Sequence, residues 1–397
     1  MQQDHIHEAL SKLDKWVQQA DWKAYDTFDG LSSPLAPFFT WNIPLLKICW
    51  QQGVRRFPFN LRPMLGIQPG MSSKAMGFFA QGYLKLHQIY GNPEYLEKAK
   101  FCLQWLMENR CPGFRGYAWG NHFDYQHRAG SIPKGTPTIV WTGLIGHAFL
   151  DAYDVLGESR YLDAAQKVAE FIAEELGHSQ LKDTVYLHYY PGATHFVHNS
   201  SMIGASLLAR VHHCRPNERF LKMSQQAVRW TIQYQLPNGA WYYGVGPKFQ
   251  WVDSFHTGYV LEALDIYNRY AEDQEYVLNL EKGYHFYVET FFGDDGTPRY
   301  YDRKVRPLDI QCASQGIQTL VNLRRLHPRS LEIARKVAGW TLANMQDPAG
   351  FFYYRKYPLI TNKTPTMHWG QATMFAALAV LDECLNKAGK PLTAVAG

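Results

Sequence analysis

A helical segment that ends in a large aromatic residue occurs six times along this chain of 397 residues. The aromatic residues are Trp16, Trp105, Phe171, Trp230, Phe286 and Trp340. From Trp105 onward they are 54 to 66 residues apart, and the first interval is longer because it contains an insertion at 31–70. Each segment has apolar residues three or four positions apart, which is typical of an amphipathic helix. One such unit cannot bury its apolar face alone, so the repeats predict a shared core.

A second kind of segment, small and apolar nearly all round, follows each amphipathic one. Three of these segments read TIVWTGLIGHAFLDAY, HNSSMIGASLLARV and SFHTGYVLEALDIY. A helix that lacks a polar face is buried, whereas an amphipathic helix lies at the surface. The alternation therefore predicts an all-α fold, an (α/α)6 toroid of six outer and six inner helices that closes with an inner helix at 368–386. We expect residues 1–397 to form a single domain.

Short aromatic runs separate each outer helix from the next inner one. They lie at 24–30, 116–121, 186–192, 240–246, 299–304 and 351–357. Adjacent aromatics beside Gly and Pro favour short hairpins. The inner helices of a toroid run in one direction, so their N-termini and these hairpins meet at one mouth, the largest concave surface available for a ligand. The insertion at 31–70 predicts an ordered loop with a short helix near 43–54, suited to a lid or a dimer contact.

The charge and composition of the chain limit the classes of partner that it can bind. The net charge of +5 is spread along the chain, which disfavours a nucleic-acid partner. The sequence contains no run of about 18 apolar residues, so it predicts no membrane-spanning helix. The first residues lack a secretory signal, and six scattered cysteines indicate reduced thiols, so we expect a cytoplasmic protein. Aromatic residues make up 15% of the chain, and such rings can fill a core or hold sugar rings in a groove.

The strongest polar cluster, QWVDSFHTG at 250–258, lies where a hairpin leads into an inner helix. Asp253 can cap that helix. Three positions apart at a helix start, Asp253 and His256 can also share one face, and a carboxylate that orients an imidazole is a common general acid/base arrangement. His198 and Asn199 occupy the equivalent place one repeat earlier. We therefore expect two bases on opposite walls of one cavity.

Other repeats bring further candidates to the same mouth. The predicted catalytic residues are His198, His256, Asp253, Tyr190 and Tyr243. The predicted substrate-binding residues are Asp26, Asp29, Asn199, Trp241, Tyr242, Trp251, Arg303, Asp309, His368 and Gln371. His122, Asp124 and His127 form a loop pattern that could ligate a metal, but its spacing is unspecific, and we predict neither a metal nor a cofactor.

Several segments resemble known families. YDTFDGLSSP, HNSSMIGASLLARV and WVDSFHTGYVLEAL resemble the VpsJ-type proteins of bacterial exopolysaccharide clusters, over nearly the whole chain. The C-terminal two-thirds is more weakly similar to the helical domain of D-glucuronyl C5-epimerases. In that family a YxxYP-like segment precedes an Asn-containing inner helix and an Asp-x-x-His-Thr motif opens the next one, with counterparts here at 186–191 and 253–257. The family's acidic residue before the Pro is absent, and Phe255 replaces its tyrosine. The toroid also resembles N-acylglucosamine 2-epimerases and unsaturated glucuronyl hydrolases.

These resemblances imply a carbohydrate-active enzyme of polysaccharide metabolism, with a sugar or uronic acid glycan as its substrate. The leading hypothesis is a uronate epimerase, which needs two acid/base groups on opposite ring faces and a cation or a cluster of N–H groups to stabilise an enolate. A glycoside hydrolase or lyase using Asp26, Asp29 and Asp253 is the alternative. A non-catalytic glycan-binding subunit is a third hypothesis, and a homodimer is left open.

Overall fold

Twelve helices alternate between an outer and an inner ring in the computed structural model, which describes residues 2–127 and 130–389. The outer helices are α1 (Gln2–Gln19), α5 (Pro93–Glu108), α7 (Ser159–Glu170), α9 (Glu218–Ile232), α11 (Val277–Phe291) and α13 (Ser330–Met345). The inner helices are α4 (Ser73–Tyr90), α6 (Ile139–Leu156), α8 (His198–Cys214), α10 (Ser254–Tyr270), α12 (Ile310–Asn322) and α14 (Thr373–Gly389). One π turn, 171–175, extends α7, and another, 367–372, precedes α14.

The inner ring is closed. Each inner helix packs on the next, from α4 through α6, α8, α10 and α12 to α14, and α14 packs back on α4. Each outer helix packs chiefly on one inner helix, with the first, α1, against the last, α14, and α7 also contacts α8. The (α/α)6 toroid predicted from the repeats is confirmed.

Burial follows the two sequence patterns. In α9, Phe220, Met223, Ala227 and Trp230 are buried three or four positions apart, so this outer helix covers the core with one face. In α8, every residue from His198 to Val211 is buried. Small residues allow this close packing in the inner ring. A Cβ on Gly143 would lie 2.5 Å from the Ile203 side chain of the neighbouring helix.

Short antiparallel strands lie in the connections that lead from outer to inner helices. β1 (Tyr125–His127) pairs with β2 (Gly130–Ile132), and β3 (His178–Leu181) pairs with β4 (Thr184–Leu187). β5 (Leu308–Asp309), β6 (Arg355–Lys356) and β7 (Thr361–Asn362) form one three-stranded sheet. Gln126 is opposite Ser131, Ser179 opposite Tyr186, and Leu308 opposite Lys356. These connections all lie at the same end of the ring.

A repeated hydrogen bond ties five of the six aromatic runs to the preceding inner helix. The first residue of the helix, or of the π turn before α14, donates its backbone N–H to a tyrosine carbonyl oxygen in the next repeat. The bonds join Ile139 to Tyr189 at 3.0 Å, His198 to Tyr243 at 3.1 Å, Ser254 to Tyr300 at 2.9 Å, Ile310 to Tyr354 at 3.2 Å and Met367 to Tyr25 at 2.8 Å. They satisfy N–H groups that a helix start leaves unpaired and fix the tyrosines around the mouth.

The insertion at 31–70 contributes α2 (Ala36–Thr40) and α3 (Pro44–Arg56), close to the helix predicted near 43–54. Arg62 holds it to the first repeat through a buried ion pair with Asp29, Nε to Oδ1 2.7 Å. Arg55 Nε donates to the Tyr354 hydroxyl at 2.7 Å. The insertion is thus a fixed part of the mouth. Among the described residues, no helix combines the length and the apolar character needed to cross a membrane.

Candidate active site

A cavity of about 360 Å³ opens at the mouth of the toroid. Its walls come from the N-terminal ends of the inner helices, the aromatic connections and one side of α3. Aromatic rings and histidines make up much of the lining. Tyr243, Trp251 and His256 form one wall, and His368 and Trp369 belong to another. This composition suits a ligand with apolar ring faces and polar edges.

Asp253 and His256 form a close pair at the start of α10. His256 Nδ1 lies 2.7 Å from Asp253 Oδ2, and Trp251 Nε1 donates to the same oxygen at 2.9 Å. The other oxygen, Oδ1, accepts the backbone N–H of His256 at 3.0 Å, so Asp253 is also the N-cap of the helix. The Tyr243 ring lies 4.5 Å from the His256 ring. Asp253 is buried, whereas His256 is partly exposed to the cavity.

A second pair has the same design. His368 Nδ1 bonds to Asp26 Oδ2, although 342 residues separate them in the chain. Burial raises the pKa of Asp26, but the nearby His368 and His122 rings and a backbone hydrogen bond outweigh burial and hold the pKa below its usual value. The carboxylate therefore stays charged and orients the His368 ring, which packs 5.1 Å from the Trp141 ring.

These two histidines can each serve as an acid or a base. When Nδ1–H donates to a carboxylate, Nε2 carries the lone pair of the neutral ring or the second proton of the charged ring. Both His256 and His368 line the cavity. His256 lies in the first turn of α10 and His368 in the π turn before α14, and α12 lies between these two helices. Phe255 and Trp369, 5.2 Å apart by ring centroids, connect the two walls.

Lys74 is a functional candidate that the sequence analysis missed. It lies in the first turn of α4, is 5% exposed and lines the cavity. Its Nζ lies 5.6 Å from the Tyr259 ring centroid and 5.8 Å from that of Phe78, and no described residue pairs or hydrogen-bonds with it. Burial lowers the pKa of Lys74 to about 8, while the charge of Asp26 opposes this shift. A cation held this way is available to an anionic ligand.

The cavity wall is rich in cations. Arg55 and Arg56 of α3 line it together with Lys74. Among the described residues, Asp253 is the only carboxylate in the lining, and it already binds His256. The wall therefore has an excess of positive charge that an anionic group on the ligand can balance.

His198, expected as one of two facing bases, lies outside the cavity. Its ring packs between the inner and outer layers, 4.9 Å from Trp230 and 5.2 Å from Tyr234. Burial lowers the pKa of His198 to about 3, so the ring is neutral. The histidine that lines the cavity in this repeat is His195, three residues earlier. Asn199 does line the cavity, as expected, and its buried Oδ1 has no partner among the described residues.

In two of the aromatic runs, a tyrosine predicted to contact the ligand lies outside the cavity lining, and the neighbouring tyrosine lines the cavity. Tyr243 lines the cavity, but Tyr189 does so in place of Tyr190. Successive residues of an extended segment point to opposite sides, which explains why Tyr242 is outside the lining. Trp241 is buried in the core, where its Nε1 donates to the Thr231 carbonyl at 3.1 Å. Burial raises the pKa of Tyr243 well above its usual value, so its hydroxyl is a hydrogen-bond donor and not a base.

Five other predicted ligand-binding residues are outside the lining. Asp29 is buried against Arg62, as described above. Asp309 caps α12 and binds Arg355 Nε at 2.7 Å. Gln371 accepts the Phe352 backbone N–H at 2.7 Å, and Arg303 is exposed to solvent beside Asp302. Asp29, Asp309 and Gln371 stabilise the walls of the cavity. Asp26 likewise acts through His368, while Trp251 lines the cavity directly.

The loop pattern considered for a metal is split between three environments. His122 is partly buried near Asp26, and burial lowers its pKa. Asp124 accepts the backbone N–H of Lys134 at 2.7 Å. His127 lines the cavity, with its ring 5.1 Å from that of His195. Burial and the charge of His195 lower the pKa of His127 to about 4, so this ring is neutral.

One group with metal-ligand spacing lies on the outer surface of the described chain. His285, Glu289 and His327 bring ligand atoms within 4.8 Å of one another. His327 Nδ1 accepts the Arg329 backbone N–H at 3.2 Å, and its Nε2 faces Glu289.

Comparison with known proteins identifies similar folds. No protein-family model matches the chain, and no curated protein does. An unsaturated glucuronyl hydrolase specific for heparin has a TM-score of 0.62 at 10% identity, covering 98% of this chain and 98% of that one. A sugar epimerase from a ruminal bacterium has a TM-score of 0.62 at 12% identity, covering 82% and 90%. The cellobiose 2-epimerase from Bacillus thermoamylovorans has a TM-score of 0.60 at 11% identity, covering 78% and 87%. At such identities the similarity establishes the fold and leaves the reaction open.

Proposed function

We propose that this chain is a carbohydrate-active enzyme that epimerises a uronate residue of a glycan at C5, the carbon beside the carboxylate. The observation that carries the proposal is that His256 and His368, each held by a buried aspartate, line one cavity together with the buried cation Lys74. His368 takes the role that the sequence analysis gave to His198. Similar structures include a cellobiose 2-epimerase and a glucuronyl hydrolase, so this fold hosts both epimerisation and glucuronyl chemistry in other proteins.

The reaction needs one proton to leave C5 and another to arrive on the opposite face. One histidine, neutral, accepts the C5 proton at Nε2, and the C–H electron pair moves into the carboxylate to give an enediolate. The other histidine, protonated, then donates its Nε2 proton to the opposite face of C5. Asp253 and Asp26 stabilise whichever imidazole is charged. The reverse direction exchanges the two roles, and no net acid or base is consumed.

Charge in the cavity favours a uronate over a neutral sugar. An enediolate carries more negative charge on its oxygens than the substrate carboxylate does, so a cation nearby lowers the barrier. Lys74 supplies that cation, and Arg55 lies in the same lining. With Asp253 already paired, these groups leave a positive excess for the substrate carboxylate to balance.

Hydrolysis through paired carboxylates has less support. A glycosidase needs two carboxyl groups roughly 5–10 Å apart across the scissile bond. Asp26 contacts His368 and Asp29 contacts Arg62, so among the described carboxylates Asp253 alone lines the cavity. A lyase is the closer alternative because it begins with the same removal of the C5 proton. The two reactions differ in the second step, since in a lyase the leaving group departs and a double bond remains.

Solvent exchange tests the proposal. The protein is incubated in D2O with a panel of uronic acid oligosaccharides, and C5 deuterium and configuration are read by NMR and mass spectrometry. We expect deuterium at C5 with inversion. Inversion should be lost in His256→Gln and His368→Gln but retained in His198→Gln, the matched control outside the cavity. Ultraviolet absorbance of an unsaturated uronate would instead identify a lyase. No incorporation with any member of the panel would refute proton transfer at C5.

A further inference from the structure

A cluster of exposed apolar side chains borders the mouth where the insertion builds it. We call it the rim patch, and it comprises the exposed apolar side chains of residues 35–45, 57–64 and 359–360. Trp41 is 73% exposed, Phe38 72% and Leu359 96%. Soluble proteins rarely expose large apolar patches unless these contact a partner or a membrane.

The rim patch is held in place by specific contacts. Asn362 Nδ2 donates to the Phe57 carbonyl at 2.7 Å, which joins the β6–β7 hairpin to the end of α3. Phe39 stacks on Trp50 with ring centroids 5.3 Å apart, and Trp50 Nε1 donates to the Gly30 carbonyl at 2.9 Å. The backbone beneath the exposed rings is therefore anchored to the toroid.

Positive charge surrounds the patch. Residues 31–70 contain Lys47, Arg55, Arg56 and Arg62 and no Asp or Glu. Arg62 is neutralised by Asp29 and Arg55 is turned to the cavity, which leaves Lys47 and the exposed Arg56 on this segment. The connection at 302–307 adds three more exposed basic residues against one acidic residue, and it is joined to β6 by the pairing of Leu308 with Lys356.

We propose that the rim patch binds the surface of an anionic phospholipid bilayer. Exposed aromatic and aliphatic side chains enter the region between headgroups and acyl chains, and lysines and arginines contact the anionic headgroups. A second copy of the chain fits less well, because a two-fold contact through this patch opposes cations without carboxylates to pair them. A glycan strand also fits less well, since Leu45, Met64 and Leu359 offer a sugar no hydrogen bonds.

Membrane binding would place the cavity mouth at the bilayer. Helix α3 exposes Leu45 and Cys49 to solvent and lines the cavity with Ile48 and Gln52. The same helix therefore belongs to both surfaces, and the cavity opens next to the lipid. This inference does not depend on the proposed reaction.

Vesicle binding tests the inference on the whole chain. Wild type is mixed with vesicles of phosphatidylcholine, or with vesicles enriched in phosphatidylglycerol, and the bound fraction is measured by sedimentation at low and high salt. We expect binding to the anionic vesicles that weakens with salt. The variant Phe38→Ser with Trp41→Ser should bind at least about tenfold more weakly. Leu278→Ser is the matched control, because Leu278 is 76% exposed and lies in the first turn of α11, at the end of the ring opposite the mouth.

Further measurements distinguish membrane binding from misfolding and from dimerisation. Circular dichroism checks that the double variant folds, as expected for substitutions of exposed residues. Arg303→Gln with Lys304→Gln should reduce binding to anionic vesicles without changing the oligomeric state. Equal binding by wild type and the Phe38/Trp41 variant, or no binding at all, would overturn the proposal. So would a dimer in light scattering that the Phe38/Trp41 variant dissociates, since the patch would then belong to a second copy.

Discussion

His256 donates from Nδ1 to the same Asp253 carboxylate that caps the helix on which His256 lies. One residue thus fixes both the start of α10 and the orientation of the imidazole. The two interpretations drawn from the sequence, a helix cap and an acid/base pair, hold together in one geometry. His368 reaches an equivalent state by a different route, because its aspartate comes from the first repeat.

Asp253→Asn separates these two roles. Asparagine is as good an N-cap as aspartate, so we expect the free energy of unfolding to change by less than about 1 kcal/mol. Asparagine cannot stabilise an imidazolium, so C5 inversion should slow by about 10²- to 10⁴-fold. Urea unfolding and solvent deuterium exchange measure the two effects on one preparation. Equal turnover in the variant and wild type would show that Asp253 is only a cap.

The two histidines should be distinguishable by stereochemistry. If each serves one face of C5, His256→Gln and His368→Gln should each retain exchange of the C5 proton from only one of the two epimers. Inversion should fall by at least about 10²-fold in both variants, because reprotonation on the other face is lost. NMR of each pure epimer in D2O makes the measurement. Exchange from both epimers in either variant would indicate a single base.

Lys74 should reduce stability at neutral pH. Burial lowers its pKa from 10.5 to about 8, so the unfolded state binds the proton more tightly. The free energy of unfolding therefore rises with pH between these values, and the penalty is fully present below about pH 8. We expect Lys74→Met to be more stable than wild type at pH 7, by up to about 3 kcal/mol, and the difference to vanish above pH 10.5. Urea unfolding at several pH values checks this, and a less stable variant at pH 7 would contradict it.

Deprotonation of Lys74 should also change the pH dependence of catalysis. Deprotonation of Lys74 above about pH 8 removes the cation proposed to face the substrate carboxylate, so kcat/KM should decline there in wild type. In Lys74→Met the activity should be low at every pH and this decline should be absent. A wild-type decline that persists in the variant would assign it to another group.

The architecture was predictable because it depends on repeated local patterns. Apolar stripes ending at Trp105, Phe171 and Trp230 can be buried only by neighbouring copies, and an alternating series of such helices closes into a ring. The Asp253 and His256 pair was equally accessible, since both residues lie in one turn. In these cases the spacing of residues within one segment was enough to predict the structure.

The rest of the site depends on contacts between distant repeats. Nothing in the local sequence joins His368 to Asp26, and Lys74 meets Tyr259 only because the ring closes. In extended segments, the side chains that face the cavity were hard to predict for a different reason. A shift of one residue moves a side chain to the other face, so the choice between Tyr189 and Tyr190 needed the three-dimensional structure.

Ring closure itself can be tested at the contact between α4 and α14. A Cβ on Gly82 would lie 2.6 Å from the Phe375 ring, and an atom at that distance forces the two helices apart. Gly82→Ala should therefore lower the free energy of unfolding by about 1–3 kcal/mol, despite the better helix propensity of alanine. Gly53→Ala is the control. It lies within α3, where an added Cβ has no neighbour within 4 Å, and it should stabilise by about 0.5–1 kcal/mol. Urea unfolding of both variants gives the comparison, and a Gly82→Ala protein as stable as wild type would show that α4 and α14 are less tightly joined than this distance requires.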